Sequence, residues 1–427
     1  MRFLPQASLS FLVASLVVGS TAAQEPVPVG SDFQVSSATS EQGYPRSAAD
    51  AEGNFVVVFD RAPVADGSSY GVFGRRFTST GVAVGDDFQI NTYTPNLQVY
   101  PNIAMKPDGE FVVIWQSFGQ DGGDFGVFAQ RFDAAANPLG AELAVNSTTL
   151  SYQGNADVAF GADGGFLVIW EHRTETLTQD DVLGQLYDSS GNPVGSEIMI
   201  NTTTASDQND PRLASRPDGT FVATWESLGQ DGNGETVVVQ LLDASAAPIG
   251  AEIQANVYTM DNQEDPEIAV AADGSFAVVW ESQGQLTSGE EAVARIFNSD
   301  GTPRTDEIVV PTTTALDQEN PEVAATDDGG FVVVWQHKST TDLAFLEILS
   351  QRLDSSGQKV GAEFTVNAVA EGYQFLPNIA AAPRDRFIVS WTDDTPAFHG
   401  ESRFVDIPLF TDGFESGDTL AWSSTVP

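Results

Sequence analysis

The chain has no cysteine among its 427 residues. Disulfide bonds, thiolate metal sites and redox chemistry at cysteine are therefore excluded. The fold must be held together by burial of a hydrophobic core, which a chain of this length can supply.

Basic residues are few, with 18 lysines and arginines against 60 aspartates and glutamates, so the formal net charge is −42. Such a field repels phosphate backbones and anionic lipid headgroups, which argues against nucleic acid as a partner. An acidic surface suits cations, basic partners or a salty medium.

Long apolar runs are absent beyond the first residues of the chain. Residues 1–23 have the pattern of a signal peptide: Arg2, the apolar run 9–18, and the small residues 20–23 as a cleavage site. That run is too short to span a bilayer, and no other stretch approaches about 20 apolar residues. We therefore expect a secreted or cell-surface protein without an integral membrane segment.

A repeat dominates what is present. Five tryptophans lie 55 residues apart, a sixth follows one residue late, and a phenylalanine takes the same place at the start of the series: Phe59, Trp115, Trp170, Trp225, Trp280, Trp335 and Trp391. Seven copies of one supersecondary unit fill the chain.

Each copy reads as four short strands. In the fourth copy, β-rich or apolar runs occupy 211–214, 221–225, 237–242 and 252–256, and an Asp218-Gly219 turn follows the first run. The connections leave no room for a helix, so the unit is one antiparallel sheet and the fold class is all-β.

The two ends of the series predict a closed ring. The chain opens with a lone fourth strand at 30–35, and the seventh copy has its first three strands but no fourth. Pairing these removes an exposed sheet edge. An open solenoid or separate sandwich domains are the alternatives, but a 55-residue sheet is too small to cover both of its faces alone. We predict a seven-bladed β-propeller over residues 24–410, closed by its N-terminal strand, and expect a monomer.

The turns divide between two ends of this propeller. One end carries the short, regular Asp-Gly turns, and the other carries longer, variable, acidic loops. A glutamine recurs in the second set in every copy, at 42, 98, 153, 208, 263, 318 and 374. A ring of amides around the pore is one interpretation; bonding of loop backbone, which every blade needs, is favoured.

Departures from the repeat supply the candidate binding residues. His172 and His337 both stand two residues after their tryptophan, where three other copies have serine. They are three blades apart, so joint ligation of one ion is disfavoured, and separate solvated histidines are the alternative.

Two similar Gly-rich loops, 117–124 and 227–235, carry the candidate metal ligands Asp121, Asp124, Asp231 and Glu235. Carboxylates on such turns are hard-oxygen ligands that suit calcium, and Asp121 and Asp231 are also candidate binding residues. Neither loop has the spacing of an established calcium motif, so solvated turns remain the alternative and no cofactor is certain.

No catalytic motif stands out from the repeat, and we assign no catalytic residue. Adjacent carboxylates such as Asp180 and Asp181 could serve glycoside chemistry, but with 60 acids such pairs arise freely.

The unit Asp-Gly-x-Phe-Val-Val-x-Trp, followed by Gln-x-Phe-Asp and Gly-x-Glu, resembles the tandem repeats of exported and surface-anchored bacterial proteins. That resemblance covers residues 30–410 and implies a propeller. The tail at 410–422, with its Asp-Gly-Phe-Glu-Ser-Gly-Asp segment, is similar to a C-terminal motif of exported Gram-negative proteins and implies export or surface display. On its residues alone, 411–427 is a flexible appendage.

The expected function is non-enzymatic binding of a protein partner, a glycan or a cation through the variable acidic end. The alternative is a hydrolase or lyase acting on polysaccharide at the same end. An enzyme should gather unlike titratable groups with shifted pKa values in one pocket near the axis, whereas a binder needs only a broad patch.

Overall fold

A computed structural model describes residues 25–62, 69–173, 179–286, 289–313, 316–338, 346–369, 372–394 and 398–407. The predicted signal peptide and C-terminal tail lie outside these residues. The described residues form 28 strands, and none of them belongs to a helix that could cross a membrane.

The strands are, in chain order, β1 (Val27–Gln34), β2 (Gln42–Ala49), β3 (Phe55–Arg61), β4 (Gly71–Phe77), β5 (Phe88–Gln89), β6 (Gln98–Met105), β7 (Phe111–Phe118), β8 (Phe125–Phe132), β9 (Leu143–Ala144), β10 (Gln153–Phe160), β11 (Phe166–Arg173), β12 (Asp180–Tyr187), β13 (Pro193–Met199), β14 (Gln208–Ser215), β15 (Phe221–Leu228), β16 (Glu235–Leu242), β17 (Pro248–Gln254), β18 (Gln263–Val270), β19 (Phe276–Gln283), β20 (Glu290–Phe297), β21 (Ile308–Val309), β22 (Gln318–Ala325), β23 (Phe331–Lys338), β24 (Leu346–Leu353), β25 (Lys359–Thr365), β26 (Gln374–Ala382), β27 (Arg386–Asp393) and β28 (His399–Asp406).

These strands form seven antiparallel four-stranded sheets. Six sheets are consecutive in the chain, and the seventh has the order β1-β28-β27-β26. The first strand of each sheet contacts the first strands of both neighbouring sheets, and β26 contacts β2, which closes the ring. The predicted seven-bladed β-propeller and its closure by the N-terminal strand are both confirmed.

The core lies between neighbouring blades. The second strand of each blade is buried along almost its whole length, because sheets cover both of its faces. All six repeat tryptophans are fully buried, and each packs into a cluster that joins its blade to the preceding one. This inter-blade packing accounts for the regular Trp position in the sequence.

The recurring glutamine binds loop backbone, which is the interpretation that the sequence analysis favours. All seven are buried. In four blades its Oε1 atom accepts a hydrogen bond of 2.8–3.0 Å from the indole Nε1 of the blade's tryptophan. In six blades its Nε2 atom donates to a carbonyl of the preceding loop. The glutamine thus fixes the loop to the blade.

The innermost strand of each blade contains a bulge with a left-handed residue. A register shift interrupts the pairing of all seven innermost strands with their second strands. The residue at each shift has φ between 46° and 54°; these are Tyr44, Tyr100, Asn155, Asp210, Asp265, Asn320 and Leu376. Non-glycine residues rarely adopt this conformation, and such strain concentrates at functional sites.

Candidate axial binding site

The bulged residues line a pocket at the variable end of the propeller axis. One cavity there has a volume of about 650 Å³, and a second cavity of about 250 Å³ lies beside it. Both are lined by Tyr44, Tyr100, Gln116 and Leu376, and we call the combined space the axial pocket. Its size is within the range of small-molecule sites, which is about 300–1,000 Å³.

One half of the axial pocket is aromatic, and we call it the aromatic half. The Tyr44 and Tyr100 rings meet edge to face with centroids 4.5 Å apart, and the Phe375 and Phe398 rings do so at 5.9 Å. The remaining rings come from Tyr70, Phe125 and Tyr152. Four of the protein's eight tyrosines therefore line this one surface.

The opposite half is acidic, and we call it the carboxylate half. Asp210 and Asp265 are bulged residues of the fourth and fifth blades, and they line the smaller cavity. Glu226 follows Trp225 on β15. One carboxylate oxygen from each of the three lies within 4.8 Å of the others. The three groups form a compact site for a hydroxyl-rich or cationic ligand.

In four blades, the residue after the repeat aromatic holds the bulge of the next blade. Asp60 accepts from the Tyr100 backbone N–H at 3.4 Å, Glu226 from that of Asp265 at 2.6 Å, and Gln336 from that of Leu376 at 3.2 Å. Glu281 accepts in the same way from Asn320. The uncharged Gln336 amide accepts the same kind of hydrogen bond as the glutamates, so this bond does not require a charged acceptor.

Burial keeps these glutamates protonated to an unusually high pH. Desolvation, reinforced by repulsion from Asp210 and Asp265, raises the pKa of Glu226 well above its usual range. Desolvation and Asp210 raise the pKa of Glu171 to about 8, and desolvation and Asp265 raise that of Glu281 to about 9. Desolvation also raises the pKa of Asp210, against the opposing charge of Arg212. The buried carboxyl groups next to the bulges therefore favour the protonated form near neutral pH.

Replacing Glu281 with glutamine is expected to stabilise the protein at alkaline pH. Because its folded pKa of about 9 exceeds the ordinary 4.5, the stabilisation from protonated Glu281 is complete below pH 4.5 and is lost as the pH rises through 9. A glutamine accepts the same Asn320 bond without this loss. Melting curves should give E281Q a free energy of unfolding that exceeds that of the wild type by about 1 kcal/mol or more at pH 9, with no such gain at pH 5.

Glu52 provides the matched control, because it is an exposed acid in the β2–β3 turn. E52Q should leave the pH dependence of melting unchanged. Equal behaviour of E281Q and E52Q across this range would contradict a buried, protonated Glu281.

A ring of seven polar side chains comes next along the innermost strands, and three of them, Arg46, Asn102 and Arg212, also line the axial pocket. Each comes two residues after the bulge, and they are Arg46, Asn102, Asp157, Arg212, Glu267, Glu322 and Asn378. Arg46 pairs with Glu322 at 2.9 Å and Arg212 with Glu267 at 2.5 Å. The Asn102 amide donates to the Asp157 carboxylate at 2.7 Å. Arg212–Glu267 and Asn102–Asp157 thus join neighbouring blades, whereas Arg46 of the first blade reaches Glu322 of the sixth. We call the set of seven side chains the axial ring.

The predicted histidines lie apart from the axial pocket. His172 and His337 are buried in the third and sixth blades, and each Nδ1 contacts the recurring glutamine of its own blade, at 2.7 and 3.0 Å. Burial lowers the pKa of both. The residues lining the two cavities do not include them.

Three of the four predicted calcium ligands accept hydrogen bonds within or beside their loops. Asp121 accepts from the Gly123 N–H and the Asn146 amide, and Asp231 makes the equivalent bonds to Asn233 and Asn256. Asp124 accepts from the Phe125 N–H. Burial and nearby Glu264 raise the pKa of Glu235 to about 7. Within the described ranges, the clusters of three or more metal-ligating side chains do not include any of these four.

Sequence reasoning missed the pocket residues, although a signal was present. In six of the seven copies the bulged residue stands directly before a proline of the first strand. Its type varies from tyrosine to aspartate, asparagine and leucine, while the flanking positions repeat. A variable residue at a fixed place in an otherwise regular strand would have indicated the site.

No protein-family model and no curated protein matches the chain. Among solved structures, a protein of unknown function from Dyadobacter fermentans has a TM-score of 0.54 at 11% identity, over 90% of this chain and 99% of its own. The polysaccharide lyase Uly1 has a TM-score of 0.54 at 9% identity, over 90% of this chain and 100% of its own. A K499G mutant of the NanB sialidase from Streptococcus pneumoniae has a TM-score of 0.50 at 9% identity, over 91% of this chain and 71% of its own. At such identities the likeness shows a shared propeller fold.

Proposed function

We propose that the chain is an exported carbohydrate-binding propeller that holds a glycan in the axial pocket. The observation that carries this proposal is the division of one pocket into an aromatic half and a carboxylate half. The aromatic half includes the paired Tyr44 and Tyr100 rings, and the carboxylate half is built on Asp210 and Asp265.

The chemistry of sugars matches this division. A pyranose ring has an apolar C–H face, which packs on tyrosine and phenylalanine rings, and a rim of hydroxyls, which donate to carboxylates. Acidic sugars are disfavoured, because the chain carries a charge of −42. A neutral or amino sugar is the expected ligand.

A glycan array followed by calorimetry with the best-binding oligosaccharide tests this proposal. Y100A removes a ring from the aromatic half, and D265N removes a charge from the carboxylate half. Each should weaken binding about tenfold or more, because a charged hydrogen bond contributes about 1.5–3 kcal/mol and buried tyrosines are frequent hot spots.

Two variants serve as matched controls. Tyr258, whose hydroxyl donates to the Gly284 carbonyl at 3.0 Å, is not among the lining residues, and Asp261 is an exposed loop acid. Y258A and D261N should bind as the wild type does. The proposal fails if the array shows no glycan bound, or if Y100A and Y258A bind equally well.

Hydrolysis of the bound glycan is a second candidate function. Asp210, Glu226 and Asp265 present oxygens within 4.8 Å of one another, and burial holds Glu226 protonated. Glycosidases combine a protonated carboxylic acid with a nearby carboxylate, separated by about 5 Å when configuration is retained. Product analysis after incubation with bound glycans decides between the two. Turnover that D265N abolishes supports hydrolysis, whereas binding without turnover supports the binding role alone.

A further inference from the structure

We propose that Asp393, His399 and Glu401 bind a divalent transition-metal ion, for which Zn²⁺ is the probe. The three residues lie on β27 and β28, and β28 pairs with the closing strand β1. They are separate from the axial pocket's carboxylate half, and the ion would be held within the blade that closes the ring.

Strand register places the three side chains on one face of the hairpin. Asp393 and His399 are direct cross-strand partners, and Glu401 follows His399 by two residues. One ligating atom from each lies within 4.8 Å of the others. The His399 Nε2 atom is 3.3 Å from Glu401 Oε1. Ligand atoms on one ion at about 2.0–2.2 Å are at most about 4.4 Å apart, so these three atoms need to approach one another by no more than about 0.4 Å.

Glu401 is a departure from the repeat. It lies opposite Trp391, and in the five other blades that carry the tryptophan the residue opposite it is apolar: Phe128, Leu183, Val238, Val293 and Leu349. The Glu401 side chain is only 15% exposed, and Asp393 is 3% exposed. A divalent ion would offset the cost of placing two carboxylates this deep.

Neighbouring side chains orient the ligands and keep the site negative. The Gln374 amide donates to Asp393 Oδ2 at 3.3 Å, as outer-shell groups do around bound metals. Asp32 of β1 also lies near Glu401: burial is the main cause of the raised pKa of Asp32, and the charge of Glu401 is a smaller one. Arg403 contacts Asp32 at 3.7 Å and offsets its charge.

The donor set selects the class of metal. Calcium and magnesium take oxygen ligands almost throughout, whereas an imidazole nitrogen suits zinc and its first-row neighbours. One histidine and two carboxylates leave the fourth position of a tetrahedral zinc ion for water or another ligand. This site therefore differs in kind from the calcium loops expected from the sequence.

The other two histidines are natural controls. His172 lies opposite Asp181, and His337 lies opposite Glu347, so each has one cross-strand carboxylate. The residues opposite their tryptophans are Leu183 and Leu349 rather than a second carboxylate. Only the seventh blade completes the three-ligand set among the histidines of the described residues.

Equilibrium dialysis against Zn²⁺ tests the site, with excess Ca²⁺ present to occupy weak oxygen-only sites on the acidic surface. The wild type should bind a single Zn²⁺ per chain and melt at a higher temperature when loaded, since a ligand that binds only the folded state stabilises it. H399N and E401Q should each weaken binding about tenfold or more, whereas H172N should bind as the wild type does.

Imidazole NMR of the wild type provides a readout that does not depend on the folding of H399N. The protein has three histidines, and H172N and H337N assign their signals. Zn²⁺ should shift the His399 resonances and leave the other two in place. Absence of Zn²⁺ binding under excess Ca²⁺, equal binding by H399N, or a response confined to His172 and His337 would each overturn the proposal. Because the glycan test involves other residues, either proposal can fail without the other.

Discussion

Removing residues 25–35 is expected to destabilise the propeller by at least about 4 kcal/mol and to expose the edge of β28. The segment supplies β1, whose Phe33 ring lies 5.6–6.3 Å from the rings of Phe55, Phe77 and Phe404. Val35 is fully buried, and its N–H donates to the Gly400 carbonyl at 3.0 Å. Thermal and urea unfolding of chains that begin at residue 25 and at residue 36 measure the difference.

A synthetic peptide provides the control for this truncation. A peptide of residues 25–37 should restore much of the lost stability by adding the missing strand to the open edge. The same peptide with F33S should restore far less, because it cannot fill the aromatic cluster. Equal unfolding of the two chains would show that the ring does not depend on its N-terminal strand.

Replacing Arg212 in the axial ring is expected to cost about 3 kcal/mol or more. Its guanidinium pairs with Glu267 at 2.5 Å, and its charge also opposes those of Asp157 and Asp210. R212M would leave these carboxylates without this compensating charge at the propeller axis. Denaturant unfolding at pH 7 measures the loss, and the deficit should shrink at pH 5, where the carboxylates protonate more readily.

Two further variants separate charge loss from loss of packing. Arg76 donates to the exposed Ala135 carbonyl, so R76M should change stability by less than about 0.5 kcal/mol. Adding E267Q to R212M should recover part of the deficit, because it removes one of the unpaired charges. If E267Q does not reduce the loss of stability caused by R212M, packing rather than charge stabilises the axial ring.

The fold could be predicted because its causes recur. Each blade must bury a tryptophan against its neighbour, so Trp115, Trp170 and their equivalents mark the period in the sequence. The lone strand containing Phe33 and the incomplete seventh copy likewise follow from the need to remove an open edge. The repeats in the sequence therefore predict both the number of blades and the way in which the ring closes.

The site could not be predicted in the same way, because its residues differ from blade to blade. Tyr100 and Asp265 occupy equivalent bulges, yet only the closed ring brings their blades around one pocket. The pKa of Glu281 depends on burial between two blades, which no local pattern reveals. Sequence reasoning selected His172 because it broke the repeat, but the structure places it against Gln153.

A crystal structure of the protein soaked with the best-binding oligosaccharide will show where the glycan is held. We expect sugar density in the axial pocket, with a ring face on Tyr44 or Tyr100 and hydroxyls within about 3 Å of Asp210 or Asp265. Density on the outer strands or at the Asp-Gly turn end, with the axial pocket empty of sugar, would contradict it.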